Sequence, residues 1–374
     1  MIGGTLRLRD CPNNFGDRPP ERLCSGALRL NSPRGLHYRR VPRMPANPAE
    51  EFLPMRPLCF AFAALMMAAS AHAQSSKTVA VMTMNDTPQL LEVKDGVVKG
   101  LAERGYVDGK NIRIDFKSAE GNFGLAQQIA RQFVGENPDV IVAITTPVSQ
   151  AVVAATTDIP IVFSTVTDPL RAKVIPTIKH PGGNVTGVSD MVPTEPQIDI
   201  VKEIIPNLRT LGLVYDPSQD NSRSTVDSIK ELAKTKGFKT VESNAMSVND
   251  VATAGQNLVG KVDAIFVPND TTIYSGFEAL VKVAQDTKTP LFTAERRSVE
   301  RGAIATVGYD FGEMGQITAG LVDRVLKGEK PGDIDAVYLK DDPKSLSLYV
   351  NKASAEKMGV TVPQSVLDRA AHVF

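Results

Sequence analysis

Along the chain, hydrophobic and polar positions state one pattern twice. The run Pro138-Asp139-Val140-Ile141-Val142-Ala143-Ile144-Thr145-Thr146-Pro147 is apolar until it reaches a polar, turn-prone tip, and Val262-Asp263-Ala264-Ile265-Phe266-Val267-Pro268-Asn269-Asp270-Thr271 repeats it. Each tip is followed by a helix-like stretch and then by a second apolar run opened by proline. These runs are Ile159-Pro160-Ile161-Val162-Phe163-Ser164 in one half and Thr289-Pro290-Leu291-Phe292-Thr293-Ala294 in the other. Short, continuous apolar runs bounded by turn residues are what strands buried on both faces look like.

The surrounding segments extend the pattern. Thr78 to Met82 reads as a buried first strand with Asn85-Asp86-Thr87-Pro88 as its polar tip. Leu90, Leu91, Val93, Val97, Val98 and Leu101 then give an amphipathic helix over Leu90 to Arg104, stopped by Gly105. A second strand follows over Asn111 to Phe116 and a helix over Leu125 to Phe133. In the other half the same order returns: a strand at Leu211 to Tyr215, a helix over Val226 to Lys236 ended by Gly237, a strand at Phe238 to Ser243, a helix over Val251 to Val259, and the Ala264 to Val267 strand. Between the halves, Pro181-Gly182-Gly183-Asn184 and Val185 to Ser189 break the rhythm and predict a first crossing. After Gly308, a helix over Met314 to Leu326, a strand at Leu346 to Val350 and a helix over Ala353 to Met358 predict return crossings near Gly308 and Asp341. The fold class predicted is α/β: two similar doubly wound parallel-sheet lobes joined by a multi-strand hinge. The expected lobes are 77–188 with 308–337, and 189–307 with 338–374. Ligands of such sheets bind at the carboxyl ends of the strands, here on either side of one cleft.

Upstream, Leu58 to Ala69 is apolar and ends at Ala71-His72-Ala73, a signal-peptide core with an A-x-A cleavage site after Ala73. It is shorter than the roughly 20 apolar residues of a membrane span. The signal peptide is placed at 55–73, with translation expected to begin at Met55 and residues 1–54 expected to be a mis-assigned upstream segment. A basic nucleic-acid-binding arm at Arg39, Arg40 and Arg43 fits poorly ahead of an export signal. Cleavage after Ala73 would deliver the protein to the periplasm and leave 32 basic against 37 acidic residues, a formal charge of −5. That balance does not favour nucleic acid or anionic lipid as partner. Cys11, Cys24 and Cys59 all precede the cut, so the exported chain carries no disulfide and no thiolate nucleophile or ligand.

Enzyme chemistry finds little material. His180 and His372 are the histidines beyond the cut, too few for Ser-His-Asp catalysis or a His-rich metal site. No phosphate-binding Gly-x-x-x-x-Gly-Lys-Ser/Thr loop occurs, and no Gly-x-Gly-x-x-Gly follows the first strand. Acidic residues are numerous, as on any solvated surface. The expectation is a non-catalytic protein without cofactor or metal.

Several motifs carry a family resemblance: Gly105-Tyr106-Val107-Asp108-Gly109-Lys110-Asn111, Pro138-Asp139-Val140-Ile141-Val142, Pro160-Ile161-Val162-Phe163, Asp168-Pro169 and Pro181-Gly182-Gly183-Asn184-Val185-Thr186-Gly187. Glu295-Arg296, Gly302-Ala303, Gly308-Tyr309-Asp310 and Lys327-Gly328-Glu329-Lys330-Pro331 continue it. From about Val79 to its end the chain resembles the substrate-binding components of bacterial ABC uptake systems, of the periplasmic type I binding-protein fold. More narrowly it is similar to members that bind tryptophan and other aromatic amino acids. The resemblance implies an exported receptor that closes around a small solute, an amino acid or an aromatic one, and hands it to an inner-membrane ABC permease, acting as a monomer. A periplasmic sensor docking to a signalling receptor, or a binder of another small carboxylate or heterocycle, stands as the alternative.

Strand-end geometry nominates the ligand contacts. Thr145 and Thr146 lie where a strand turns into a helix, so their hydroxyls and the helix-start amides could hold a carboxylate. An ordinary N-cap at Thr146 with Pro147 behind it uses the same atoms. Relatives more often carry Gly-Thr-Pro or Gly-Ser-Pro here, so Thr145 would narrow the pocket. Asp270, with Thr271, occupies the equivalent tip of the other half, where its carboxylate suits a ligand ammonium or caps the next helix. Ser164 and Thr165 end the strand after Pro160, ahead of an Asp168-Pro169 turn. Asn85 ends the first strand and could bridge a head group or form an Asx turn. Asn221 and Glu295 are second-lobe candidates. Tyr274 or Phe277 could stack on an aromatic ligand or belong to the core.

Overall fold

A computed structural model describes residues 77–341 and 346–374. The signal-peptide and start-site readings lie outside these residues. Five parallel strands open the fold: β1 (Lys77–Thr83), β2 (Ile112–Ser118), β3 (Val140–Ile144), β4 (Ile161–Ser164) and β5 (Val185–Ser189). They pair in the order β5-β4-β3-β1-β2. Every residue of β3, β4 and β5 is buried, as befits strands covered by helices on both faces. Helices Pro88–Glu103, Phe123–Glu136 and Thr146–Ala155 provide the cover. Thus Val185 to Ser189, expected to belong to the break between halves, is a fifth strand of the first sheet, and the crossing comes after it.

The second sheet repeats the plan. Strands β6 (Thr210–Tyr215), β7 (Lys239–Asn244), β8 (Ala264–Val267) and β9 (Leu291–Thr293) are parallel in the order β7-β6-β8-β9. This is the arrangement of β2-β1-β3-β4 in the first lobe. The backbone N–H of Ile304 donates to Leu291 O at 2.7 Å and sets β10 (Ala305–Gly308) beside β9. The chain then returns to the first lobe through the helix Phe311–Leu326 and β11 (Val337–Tyr338), which pairs with β5. It ends in the second lobe, where β12 (Ser347–Val350) runs antiparallel to β10 and parallel to β13 (His372–Val373).

Helices Pro88–Glu103 and Phe311–Leu326 meet backbone to backbone. A Cβ on Gly96 would lie 2.3 Å from Gly312 O, and one on Gly315 would lie 2.2 Å from Val93 O, so both positions require glycine. That contact docks the returning helix on the first lobe. The second lobe has its own apolar core, running from Ile198 through Phe266 and Phe292 to Val350 and Val366.

The lobes touch across the cleft. Gln150 donates to Asp220 at 2.7 Å, Arg171 pairs with Asp227 at 2.6 Å, and Glu92 meets both Arg296 and Arg297, the latter at 2.7 Å. No helix among the described residues is long and apolar enough to cross a membrane.

Candidate functional site

A cavity lies between the lobes, where carboxyl ends of strands from both sheets meet. First-lobe and crossing residues Gln89, Leu90, Thr145, Thr146, Thr165, Thr167 and Asp190 line it, with Phe311 from the returning helix. Across from them stand Asn221, Asn269, Asp270, Thr271, Tyr274 and Glu295. Seven of the nine residues nominated from sequence as ligand contacts therefore line it: Thr145, Thr146, Thr165, Asn221, Asp270, Thr271 and Glu295. The remaining two, Asn85 and Ser164, are not among the residues that line it.

The Thr145-Thr146 tip presents the helix Thr146–Ala155 to the cavity. The helix starts one residue earlier than expected, so Thr145 takes the cap position and Pro147 falls inside the first turn. Thr145 caps nothing with its side chain, and the hydroxyls of Thr145 and Thr146, both buried, find no partner among the described residues. Two unpartnered hydroxyls at the positive end of a helix are chemically suited to an anion such as a carboxylate.

Asp270 is placed differently from the expectation that its carboxylate serves an ammonium. One oxygen accepts from the Asp216 N–H at 2.7 Å and the Ser222 hydroxyl at 2.6 Å. The other accepts from Gln219 Nε2 and from the N–H groups of Thr272 and Ile273, each at 3.0 Å. The capping alternative is the one its oxygens serve. Burial raises its pKa to about 6. Glu295 likewise caps the helix Arg296–Glu300, accepting from Arg297 N at 2.6 Å and Ser298 N at 2.7 Å, and burial raises its pKa. Thr271 is bound through its hydroxyl to Gln219 at 2.9 Å. Thr165 donates to Ser164 O at 2.7 Å, and the Ser164 hydroxyl pairs with Thr318 inside the first lobe at 2.8 Å. Asn85 spans the lobes instead, donating to Thr271 O at 3.1 Å and Ser275 Oγ at 2.7 Å. Asp168 accepts from Arg171 N at 3.0 Å, as its turn predicts. Tyr274 lines the cavity with its hydroxyl on Thr293 at 3.1 Å, and Phe277 is core.

The acid that sequence reasoning missed is Asp190, the residue directly after β5. It is 6% exposed; Oδ2 accepts from Asn269 Nδ2 at 3.1 Å, and Oδ1 has no partner among the described residues. Burial pushes its pKa up to about 6. Asn221 donates through Nδ2 to the Asn269 carbonyl at 2.6 Å, which fixes the amide's orientation because a carbonyl only accepts. Its Oδ1 is therefore a second unpartnered acceptor. Asp190, from the first lobe, and Asn221, from the second, are thus joined through Asn269, each leaving one oxygen free. Gln89, Leu90 and Phe311 were also missed; a strand reading of Val185 to Ser189 would have nominated Asp190 by the strand-end rule. No group of three or more His, Cys, Asp or Glu among the described residues could hold a metal ion.

Comparison with known proteins adds four findings. The family model for ABC transporter substrate binding proteins matches residues 78–374. A Clostridioides difficile (strain R20291) protein named tyrosine-binding protein is 37% identical over 268 residues, covering 72% of this chain and 78% of the relative. Among solved structures, the ABC domain from Streptococcus pneumoniae in complex with L-Trp is 35% identical with a TM-score of 0.77, covering 80% of this chain and 100% of that one. The ligand-free, open structure of a Clostridium difficile substrate-binding protein with adhesive properties is 34% identical with a TM-score of 0.60, covering 79% and 99%.

Proposed function

The chain belongs to the family of ABC transporter substrate-binding proteins, solute receptors rather than enzymes, and from that premise we propose that its ligand is an amino acid held by both ends of its zwitterionic head group. The observation that carries this reading is the pairing, in one cavity, of an unpartnered buried carboxylate oxygen on Asp190 with two unpartnered hydroxyls at a helix start. A buried polar atom without a partner is costly, and an ammonium and a carboxylate at fixed separation satisfy these three together. The α-carboxylate sits at Thr145, Thr146 and the helix amides. The ammonium sits between Asp190 Oδ1 and Asn221 Oδ1.

Leu90, Tyr274 and Phe311 on the same cavity favour an aromatic side chain, in keeping with a relative named for tyrosine and another solved with L-Trp. Because Asp190 and Asn221 belong to different lobes, an ammonium bridging them ties the lobes together, and ligand shifts the hinge equilibrium toward closure. At almost equal identity, the L-Trp complex superposes better than the open relative, in line with lobes drawn together here. The moving bodies follow the expected 77–188 with 308–337 and 189–307 with 338–374, except that Ser189, the last residue of β5, Asp190 directly after it, and Tyr338, paired with Ser189, move with the first lobe. The receptor is exported to the periplasm by the segment ending at Ala73, acts as a monomer without nucleic acid, and presents the closed form to an inner-membrane permease.

Calorimetric titration with L-tyrosine, L-tryptophan, L-leucine and a monosaccharide tests the assignment. Saturable binding of an aromatic amino acid at micromolar or lower concentration supports it. Binding of the sugar with no response to any amino acid refutes it.

A further inference from the structure

Thr145 is held where side chains are rarely found. Its φ of 92° and ψ of 156° fall in a region that is essentially restricted to glycine. The conformation is fixed from both sides. Its N–H donates to Ser164 O at 3.0 Å at the end of the β3–β4 pairing, and its C=O accepts from the Ser149 N–H at 3.0 Å and the Ser149 hydroxyl at 2.8 Å in the first turn of the following helix. Glycine would meet these constraints without strain. Threonine, which lines the cavity, adds a β-branched body and a hydroxyl that is buried and has no partner among the described residues. Backbone strain and an unsatisfied hydroxyl thus coincide at one residue of the cavity wall. Nothing in the free protein gains from that side chain, so its use lies with what enters the cavity.

We propose that Thr145 determines which ligand the cleft accepts. Its hydroxyl donates to the ligand's carboxylate, and its β-branched body occupies volume that glycine would open to a larger side chain. The inference rests on the amino-acid reading above. Thr146, the first residue of the helix, shares the carboxylate, but its helical backbone takes a side chain without strain.

Affinities of the wild-type chain and of Thr145→Val, Thr145→Ser and Thr145→Gly for L-tyrosine and L-tryptophan test the proposal, with unfolding temperatures of the ligand-free proteins alongside. Thr145→Val keeps the shape and removes the hydroxyl, so affinity falls about tenfold or more. Thr145→Ser keeps the hydroxyl and stays within about threefold. Thr145→Gly raises the L-tryptophan to L-tyrosine affinity ratio about fivefold or more, and it unfolds at a higher temperature than Thr145→Ser, since only glycine relaxes the backbone. Thr145→Val binding like wild type, with an unchanged ratio in Thr145→Gly, would overturn the proposal and leave the amino-acid reading standing. A wild-type protein that binds no amino acid would overturn both.

Discussion

Replacing Asp190 by asparagine should make the ligand-free protein more stable and nearly abolish binding. The carboxyl is carried by burial from an ordinary 3.8 to about 6. At about 1.4 kcal/mol per tenfold change in acidity, this places a penalty of about 3 kcal/mol on the ionised form at pH 7. Asparagine preserves the shape and lets its carbonyl oxygen keep the Asn269 bond, now at 3.1 Å. An unpartnered amide N–H in place of Oδ1 offsets about 1 kcal/mol of the relief, leaving a net gain of about 2 kcal/mol and a rise in Tm of roughly 5 °C. The sign with pH follows from the raised folded-state value. Between about 4 and 6 the folded protein holds a proton that the unfolded chain has released, so wild type loses stability through this group as pH rises, and Asp190→Asn does not. The two proteins therefore converge below about pH 4 and differ most at pH 7. Binding moves the opposite way: losing the ion pair to the ligand ammonium should cost about a hundredfold in affinity. Thermal unfolding across pH, with calorimetry at pH 7, reads both effects. A variant less stable than wild type at pH 7, or one that binds with wild-type affinity, would refute the reasoning.

Thr146→Ala should weaken ligand binding about tenfold by calorimetry while leaving the free protein's Tm within about 1 °C, because the hydroxyl has no partner to lose. Asp270→Ala should instead destabilise the free protein by about 2–4 kcal/mol in denaturant unfolding, since it strands the Asp216, Thr272 and Ile273 N–H groups together with Gln219 and Ser222. Glu92→Gln should loosen closure by weakening the contacts to Arg296 and Arg297, with affinity falling about threefold and the scattering radius of the liganded protein increasing; unchanged affinity would remove the latch role.

The parts of the fold that repeat were legible because their apolar runs are uninterrupted: β3 and β8 sit where Val140 to Ile144 and Ala264 to Val267 placed them. β5 was not, because Thr186 and Gly187 interrupt its hydrophobic character. A Cβ at Gly187 would lie 2.2 Å from Phe163 O, a demand that only the folded sheet reveals. Missing β5 meant missing Asp190 at its end. At Asp270 the residue type was informative but its role was not, since ligand contact and helix capping ask for the same carboxylate. Asp216, Gln219 and Ser222 decide between them, and they reach it from another strand–helix junction about fifty positions away in sequence. The strain at Thr145 was hidden because it belongs to the β3–β4 pairing and the next helical turn together, and neither alone imposes it.

The central claim, recognition of both ends of an amino-acid head group, is tested most directly by titrating the wild-type protein with L-tyrosine, tyramine and 3-(4-hydroxyphenyl)propionate. These share a side chain and differ only in the groups assigned to Asp190 and to the Thr145-Thr146 tip. The account predicts that each analogue loses about a hundredfold or more in affinity against the parent amino acid, because each leaves one set of buried polar groups unpartnered. An analogue that binds as tightly as L-tyrosine would contradict it.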